Sequence, residues 1–231
     1  MKILTMKFGG TSVADVDRIR AVRDIISDEI RDGWNVVAVV SAMSKETNKL
    51  IDLAKQLGVE NFVDPEYDSL ISTGEDVSSS LLAIALNSIE ISSRSWRGWQ
   101  IPIITDSFHS NAKIEEIKAN QIINSFKEGV KVAVVSGFQG IEQAGRITTL
   151  GRGGSDTSAV AIAAAIDAER CDIYTDVSGI YTTDPRIKKN ASKLKKISFE
   201  EMLEMASLGA NVLQTRAVEL AMRHKVPIRA V

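Results

Sequence analysis

The stretch from Thr148 to Ser158, TTLGRGGSDTS, decides how this chain is read. Three glycines, an arginine, an aspartate and several hydroxyl residues precede an apolar run from Ala159 to Ile166. The order is a loop and then a helix. A side-chain oxygen of Ser155 or Asp156 is expected to cap the helix by accepting an orphan N–H. Gly151, Gly153 and Gly154 let the backbone come close to a ligand. Bare amides at a helix N-terminus favour an anion, and Arg152 adds a planar fork of donors. The stretch therefore reads as a cradle for phosphate or carboxylate. It matches neither GxGxxG nor GxxxxGK[ST], and an ordinary capped helix after a glycine-rich turn would look the same. What distinguishes the two readings lies elsewhere in the chain.

On both sides of this loop, apolar strands alternate with helical patterns. Lys2 to Phe8 reads as a strand broken by Gly9-Gly10, and a helix is expected from about Ala14 to Arg31, with its apolar residues on one stripe and Gly33 as its stop. Val36 to Val40 is a continuous apolar run, the pattern of a strand buried on both faces. Helices are expected over 46–57 and 69–89, the second interrupted by the polar patch Ser72 to Asp76, with a loop over 58–67 between them. Ile101 to Thr105 reads as a strand, Ile114 to Lys127 as a helix, and Lys131 to Ser136 as another buried strand. Gly137 to Thr149 suggests a hairpin with Gly140 and Gly145 at turns. After the central loop and its helix come a strand over 171–175, a polar segment over 176–196, helices over 199–207 and 215–223, and a last strand over 226–231. This order predicts an α/β fold, a three-layer αβα sandwich with a mostly parallel central sheet. One domain is expected, with an N-terminal lobe over about 1–150 and a C-terminal lobe over about 151–231. Ligands of such sheets sit at the carboxyl ends of the strands, where the loops after Phe8, Val40, Val135, Leu150 and Tyr174 are expected.

Composition narrows the function. The chain has 231 residues, 44% hydrophobic and 25% charged, with a formal net charge of −2. That balance argues against a nucleic-acid partner. The single cysteine, Cys171, excludes an intrachain disulfide framework, and its apolar neighbours suggest a buried strand thiol. No run has the length of a membrane span, and the N-terminus lacks a signal-peptide pattern; a soluble cytoplasmic protein is expected. His109 and His224 have no ligand spacing, so no metal site is expected.

Two segments complement the central loop. In Lys7-Phe8-Gly9-Gly10-Thr11-Ser12 a strand-end lysine stands beside a double glycine. The ammonium supplies charge and the glycines bring amides close, which suits a phosphate; a solvated strand-end lysine is the plainer alternative. In Tyr174 to Arg186, YTDVSGIYTTDPR, aromatic, hydroxyl and ionic groups follow a strand. This loop could grip a nucleoside, with Tyr181 on a base or sugar and Arg186 near phosphates, or it could be a turn-rich connector.

Together KFGGTSV (Lys7 to Val13), TTLGRGGSDTSA (Thr148 to Ala159) and YTDVSGIYTTDPR closely resemble the signatures of aspartokinases, of the amino-acid kinase fold. The resemblance continues through SAMS (Ser41 to Ser44), TGED (Thr73 to Asp76), NAKI (Asn111 to Ile114), GFQG (Gly137 to Gly140) and SFEEMLEMASLGA (Ser198 to Ala210), so it covers nearly the whole chain in order. It implies ATP-dependent phosphorylation of the side-chain carboxylate of L-aspartate to 4-phospho-L-aspartate, the step that opens lysine, threonine and methionine synthesis. It also implies Mg²⁺, bound mainly through the nucleotide phosphates, and a homodimer.

The resemblance assigns roles. Lys7 with Gly9 and Gly10 would hold the transferring phosphoryl group. Ser41, Thr47, Glu75 and Phe138 would form the aspartate pocket, with Glu75 facing the substrate ammonium. Arg152 would take a carboxylate, and Gly153, Gly154 and Ser155 would add further contacts. Asp156 would orient the lysine rather than act as a strong base, since a carboxylate nucleophile is already ionised at neutral pH. Thr175, Asp176, Tyr181 and Arg186 would line the nucleotide side. Rival readings are a same-fold kinase acting on another small acid, and a catalytically weak regulatory homologue.

The sequence departs from the family pattern in two places. Asn211 stands where relatives usually carry a lysine that contacts the nucleotide, a loss for which Arg216 or Lys225 could compensate. The sequence also stops at Val231, inside the expected last strand and before the small ACT regulatory domains that usually follow, so it reads either as a catalytic-only form or as a chain cut short. No intrinsic feedback inhibition by lysine or threonine is therefore expected, and a separate regulatory subunit could replace them. Trp34, Trp96 and Trp99 read as packing or interface residues. The cluster Arg94 to Trp99 looks exposed, as a subunit contact or a solvated loop, and the lysines at 188, 189, 193, 195 and 196 read as a solvated basic face.

Overall fold

The computed structural model describes residues 1–58, 63–175, 177, 179–183, 187–188, 190–209 and 212–231. Its centre is strand β1 (Ile3–Phe8), flanked by β2 (Asn35–Val40) and β9 (Arg170–Tyr174), both parallel to it. Strands β6 (Val132–Ser136), β3 (Ser93–Trp96) and β10 (Ile228–Ala230) complete a six-stranded sheet in the order β10-β9-β1-β2-β6-β3, parallel at every pairing.

Side chains of a strand alternate between the two faces of a sheet, and the core divides accordingly. Leu4, Met6 and Phe8, with Val36, Ala38 and Val40, pack on α1 (Val16–Arg31) and α4 (Thr73–Asn87) through Ile19, Val22, Ile26, Leu82 and Leu86. Ile3, Val37, Val39, Cys171 and Ile173 pack on the opposite face. There α5 (Asn120–Lys127), α6 (Gly154–Ala165), α7 (Phe199–Ser207) and α8 (Thr215–His224) supply Ile122, Phe126, Val160, Ile162, Met202, Val218 and Ala221. This is the expected three-layer αβα sandwich. The parity also sends Lys7 towards α6, because it shares a face with Ile3.

A four-stranded mixed sheet, ordered β5-β4-β7-β8, stands beside the main one. It comprises β4 (Ile103–Thr105), β5 (Ile114–Ile117), β7 (Gln139–Ile141) and β8 (Ile147–Thr149), the last two forming the expected hairpin. Gly145 sits in its turn at φ +80°, whereas Gly140 lies within β7 rather than at a turn.

Several expectations are corrected. The helix read over 114–127 is a strand followed by a shorter helix. Ile114, Ile117, Ile122 and Ile123 mimic a helical stripe, but antiparallel pairing of β5 with β4 captures the first two. The pattern over 69–89 is two helices, α3 (Pro65–Ile71) and α4, and α3 reaches back into the expected loop because Asp64 caps it through Glu66 N–H. The break at Ser72 follows from hydroxyls bonding back to the chain: Ser72 Oγ donates to Ser69 O, and Thr73 Oγ1 to Leu70 O. Arg94 to Trp96 is strand β3 rather than an exposed loop, with Trp96 buried and Trp99 half-exposed. The helix over 46–57 is α2 (Glu46–Gln56). Cys171 is buried on β9, as its neighbours suggested.

His109 is also buried, with Nδ1 2.9 Å from Asp68. Asp68 further accepts from Ser110 N–H, Thr149 N–H and Thr149 Oγ1, tying α3 to the hairpin at the threshold of the central loop. Among the described residues no helix is long and apolar enough to cross a membrane.

Candidate functional site

Phe8, Val40, Ser136 and Tyr174, the last residues of β1, β2, β6 and β9, stand level in register. Phe8 and Tyr174 stack with ring centroids 4.7 Å apart. The loops that leave β1, β2 and β6, together with the central loop, open onto one cleft of about 570 Å³, within the usual size of a small-ligand site. Its walls include Lys7, Gly10, Ser41, Thr47, Glu75, Phe138, Arg152, Gly153, Gly154, Ser155 and Asp156. Segments far apart in sequence, all singled out there, thus meet at one place.

Lys7 Nζ lies 2.6 Å from Asp156 Oδ1, off the direction of an aligned hydrogen bond, so the contact is an ion pair. Asp156 occupies the first turn of α6, where the positive end of the helix favours a carboxylate. Gly9 abuts the lysine: a Cβ there would sit 3.4 Å from Nζ. At Gly10 a Cβ would come within 2.9 Å of Ala42 O, so only glycine fits where the first loop meets the second.

The central loop differs from expectation at its cap. The N-cap of α6 is Gly153, at φ +72°, and neither Ser155 nor Asp156 caps it, since both lie inside the first turn. Their side chains are thereby left to the cleft. A Cβ on Gly153 would fall 2.1 Å from Gln214 Cγ. Gly153→Ala is expected to lower stability by about 1–2 kcal/mol through the left-handed backbone alone and to displace Gln214 from the cleft; thermal denaturation checks it. Phe138 also adopts a left-handed conformation, φ +69°. Such strain needs support from its surroundings: Phe138 N–H donates to Ser158 Oγ at 3.1 Å, and its carbonyl accepts Leu150 N–H at 2.9 Å.

Glu75 is the buried acid of the cleft, 3% exposed. The tight start of α4 puts it there: a Cβ on Gly74 would meet Ala42 Cβ at 2.8 Å. Oε1 accepts Ala42 N–H at 3.1 Å, while Oε2 has no hydrogen-bond partner among the described residues. Burial, against the opposing pull of that hydrogen bond, pushes the carboxyl up to about 8. A cation entering the cleft would find in Glu75 an acid ready to ionise. Arg152, exposed on the same cleft, offers the opposite charge.

The described nucleotide-side residues, Thr175 and Tyr181, do not line this cleft. Thr175 closes a turn on Val177, its Oγ1 accepting Val177 N–H at 3.0 Å. Tyr181 pairs with Lys193 in an isolated antiparallel bridge. Asp176, Arg186 and Asn211 lie outside the described residues. Arg216 is turned to the central loop, donating to the Leu150 and Arg152 carbonyls, and Lys225 caps the far end of α8. Sequence reading missed Thr11, Ser44, Lys45, Asn48 and Gln214, which also line the cleft. Lys45, Thr47 and Asn48 belong to the start of α2, so Thr47 was already the pointer to its neighbours. Gln214 carried no such signal. The described residues contain no group of three His, Cys, Asp or Glu suited to a metal ion.

The sequence profile of the amino acid kinase family matches residues 2–231. The chain belongs to the amino acid kinase family. Within it, the chain is 54% identical over 230 residues to an aspartate kinase of Stutzerimonas stutzeri, covering 99% of this chain and 55% of that one. It is 51% identical over 228 residues to an aspartokinase of Geobacillus stearothermophilus, with 99% and 56% covered. The chain thus spans about half the length of the curated relatives it matches. Among solved amino acid kinases, E. coli aspartokinase III in complex with aspartate and ADP superposes with a TM-score of 0.86 at 30% identity, covering 99% of this chain and 61% of that one. Synechocystis aspartate kinase gives 0.85 at 47%, covering 98% and 37%. A UMP kinase from Bacillus anthracis, at 18% identity and TM-score 0.71, shares the fold.

Proposed function

We propose that the chain transfers the γ-phosphoryl group of ATP to the side-chain carboxylate of L-aspartate, giving 4-phospho-L-aspartate and ADP. The observation that carries this reading is the pairing within one cleft of a buried acid with a free oxygen, Glu75, and an exposed guanidinium, Arg152. A ligand with both an ammonium and a carboxylate satisfies both. Relatives at about half identity are named aspartate kinases or aspartokinases, and a superposable structure holds aspartate and ADP.

In this reading Glu75 takes the substrate ammonium and Arg152 a carboxylate as a two-pronged partner. Ser41, Thr47, Phe138 and the 153–155 backbone complete the pocket. Lys7 faces the phosphoryl group in flight, and Asp156 holds Lys7 in place. Phosphoryl transfer asks chiefly for alignment and charge neutralisation, and Lys7, Arg152 and the α6 N-terminus supply both. Mg²⁺, which would be held mainly through the nucleotide phosphates, would supply further charge neutralisation at the transferring group. Thr175, Asp176, Tyr181 and Arg186 serve the nucleotide. Two copies of the chain associate, and the protein works in the cytoplasm.

The test is ADP release from Mg-ATP with a panel of acids, trapping any acyl phosphate as its hydroxamate with hydroxylamine. Aspartate-dependent release with trapped hydroxamate is expected. Turnover with glutamate, acetylglutamate or a nucleoside monophosphate instead would reject aspartate but keep the kinase. ATP binding without turnover on any acid would favour a regulatory homologue.

A further inference from the structure

Arg216 stands on the first turn of α8, outside the residues that line the cleft, yet its guanidinium reaches the central loop from behind. Nη2 donates to the carbonyls of Leu150 and Arg152, the latter at 3.0 Å, and Nη1 donates to Asn111 Oδ1 at 3.1 Å. Asn111 belongs to the NAKI segment, to which the proposed chemistry gives no role. It is pressed against the same loop: a Cβ on Gly151 would lie 2.8 Å from Asn111 Oδ1. One side chain from α8 and one from the segment before β5 thus grip the loop between them.

We infer that Arg216, seated by Asn111, is a positioning residue that sets the substrate-facing geometry of the central loop; this rests on the aspartate reading for its kinetic consequence. The argument is one of peptide geometry. A peptide unit is planar and trans, so fixing a C=O direction fixes the following N–H in the opposite direction. Pinning the Leu150 carbonyl orients Gly151 N–H, and pinning the Arg152 carbonyl orients Gly153 N–H, both away from Arg216. Gly151 and Gly153, at φ +70° and +72°, have no Cβ to hold them in that conformation. The restraint comes from outside the loop, and Arg216 supplies it on both sides of Arg152. An arginine suits this task because its rigid fork serves several acceptors at once, whereas a lysine is a single point of charge.

The experiment compares wild type, Arg216→Met and Arg216→Lys by hydrogen exchange of peptides covering residues 148–158 and by steady-state kinetics. In Arg216→Met the loop amides exchange faster, whatever the substrate. KM for aspartate rises by about 10- to 100-fold, the order of cost for a misplaced binding group, while KM for Mg-ATP changes by less than about twofold and the melting transition stays cooperative. Arg216→Lys recovers only part of the aspartate affinity. Unchanged loop exchange in Arg216→Met overturns the inference, as do equal rises in both KM values. If wild type does not phosphorylate aspartate but loop exchange still accelerates in the variant, the functional reading falls and the positioning role stands.

Discussion

Lys7→Ala is expected to lower turnover by about 10²–10³-fold, the usual cost of removing a preorganised charge from a transition state, while the chain remains folded. The geometry supports both halves. Lys7 is the one cation that β1 delivers to the cleft, and its Nζ is held against Asp156 at 2.6 Å. Charge on the transferring phosphoryl group has to be met by a fixed cation, and the Gly9–Gly10 turn keeps the approach to Nζ open. The core contribution of β1 comes instead from Ile3, Leu4, Met6 and Phe8, which the substitution leaves in place. Asp156, deprived of its partner, still has the α6 N-terminus behind it. Steady-state kinetics beside thermal denaturation decide the matter. Activity within a few-fold of wild type, on a folded variant, would show that the phosphoryl group sits elsewhere.

The second large effect belongs to Glu75. Its carboxyl is raised to about 8, first by burial. At neutral pH it therefore holds a proton that must leave before it can pair with an ammonium. Consequently kcat/KM for aspartate should climb from pH 6.5, approaching tenfold per unit, and level off above about 8. Glu75→Gln should abolish that climb and weaken aspartate binding by about 10²–10³-fold, the cost of removing one partner of a desolvated charge pair. Stability should move the other way. A carboxyl raised in the folded state is ordinarily ionised in the unfolded chain above its usual 4.5, so folding takes up a proton between there and about 8. Stability from this group is thus full below the ordinary carboxylate range and is lost as pH rises to about 8. Glu75→Gln should leave the melting temperature near that of wild type at pH 4.5 and raise it above wild type at pH 8.5. A pH-independent kcat/KM for wild type, or no relative gain in the variant at high pH, would contradict the assignment.

The sandwich was legible because its buried strands announce themselves. NVVAVV in β2 and VAVVS in β6 are short, β-branched apolar runs that fit strands buried on both faces, and helices with clear stripes separate them from their neighbours. The cleft residues were legible because they cluster in loops at strand ends. What escaped was decided by partners distant in sequence. Residues 114–117 are strand only because β4 lies beside them, and Trp96 is buried only because β3 joins the sheet at β6. The cap of α6 escaped for a different reason: serine and aspartate are better caps than glycine by propensity, but at the cap position Gln214 occupies the space a Cβ would need, and the backbone is left-handed. Gln214 and Arg216 reach the loop across the tertiary fold, and no local pattern records that.

The central position of β1 has a consequence for synthesis. Its partners are β2, which follows within the first forty residues, and β9, at Arg170–Tyr174. A chain emerging from the ribosome can therefore pair β1 on one side early, yet the other side stays an open hydrogen-bonding edge until residues 170–174 have been made. Long-range parallel pairing is slow, and unpaired edges invite association with other chains. The nascent N-terminal portion should thus be the aggregation-prone species and a natural client for chaperones. The ion pair of Lys7 with Asp156 can close only once residue 156 has been made, so the two halves of this contact are separated in synthesis by strands β2, β3 and β6 of the main sheet.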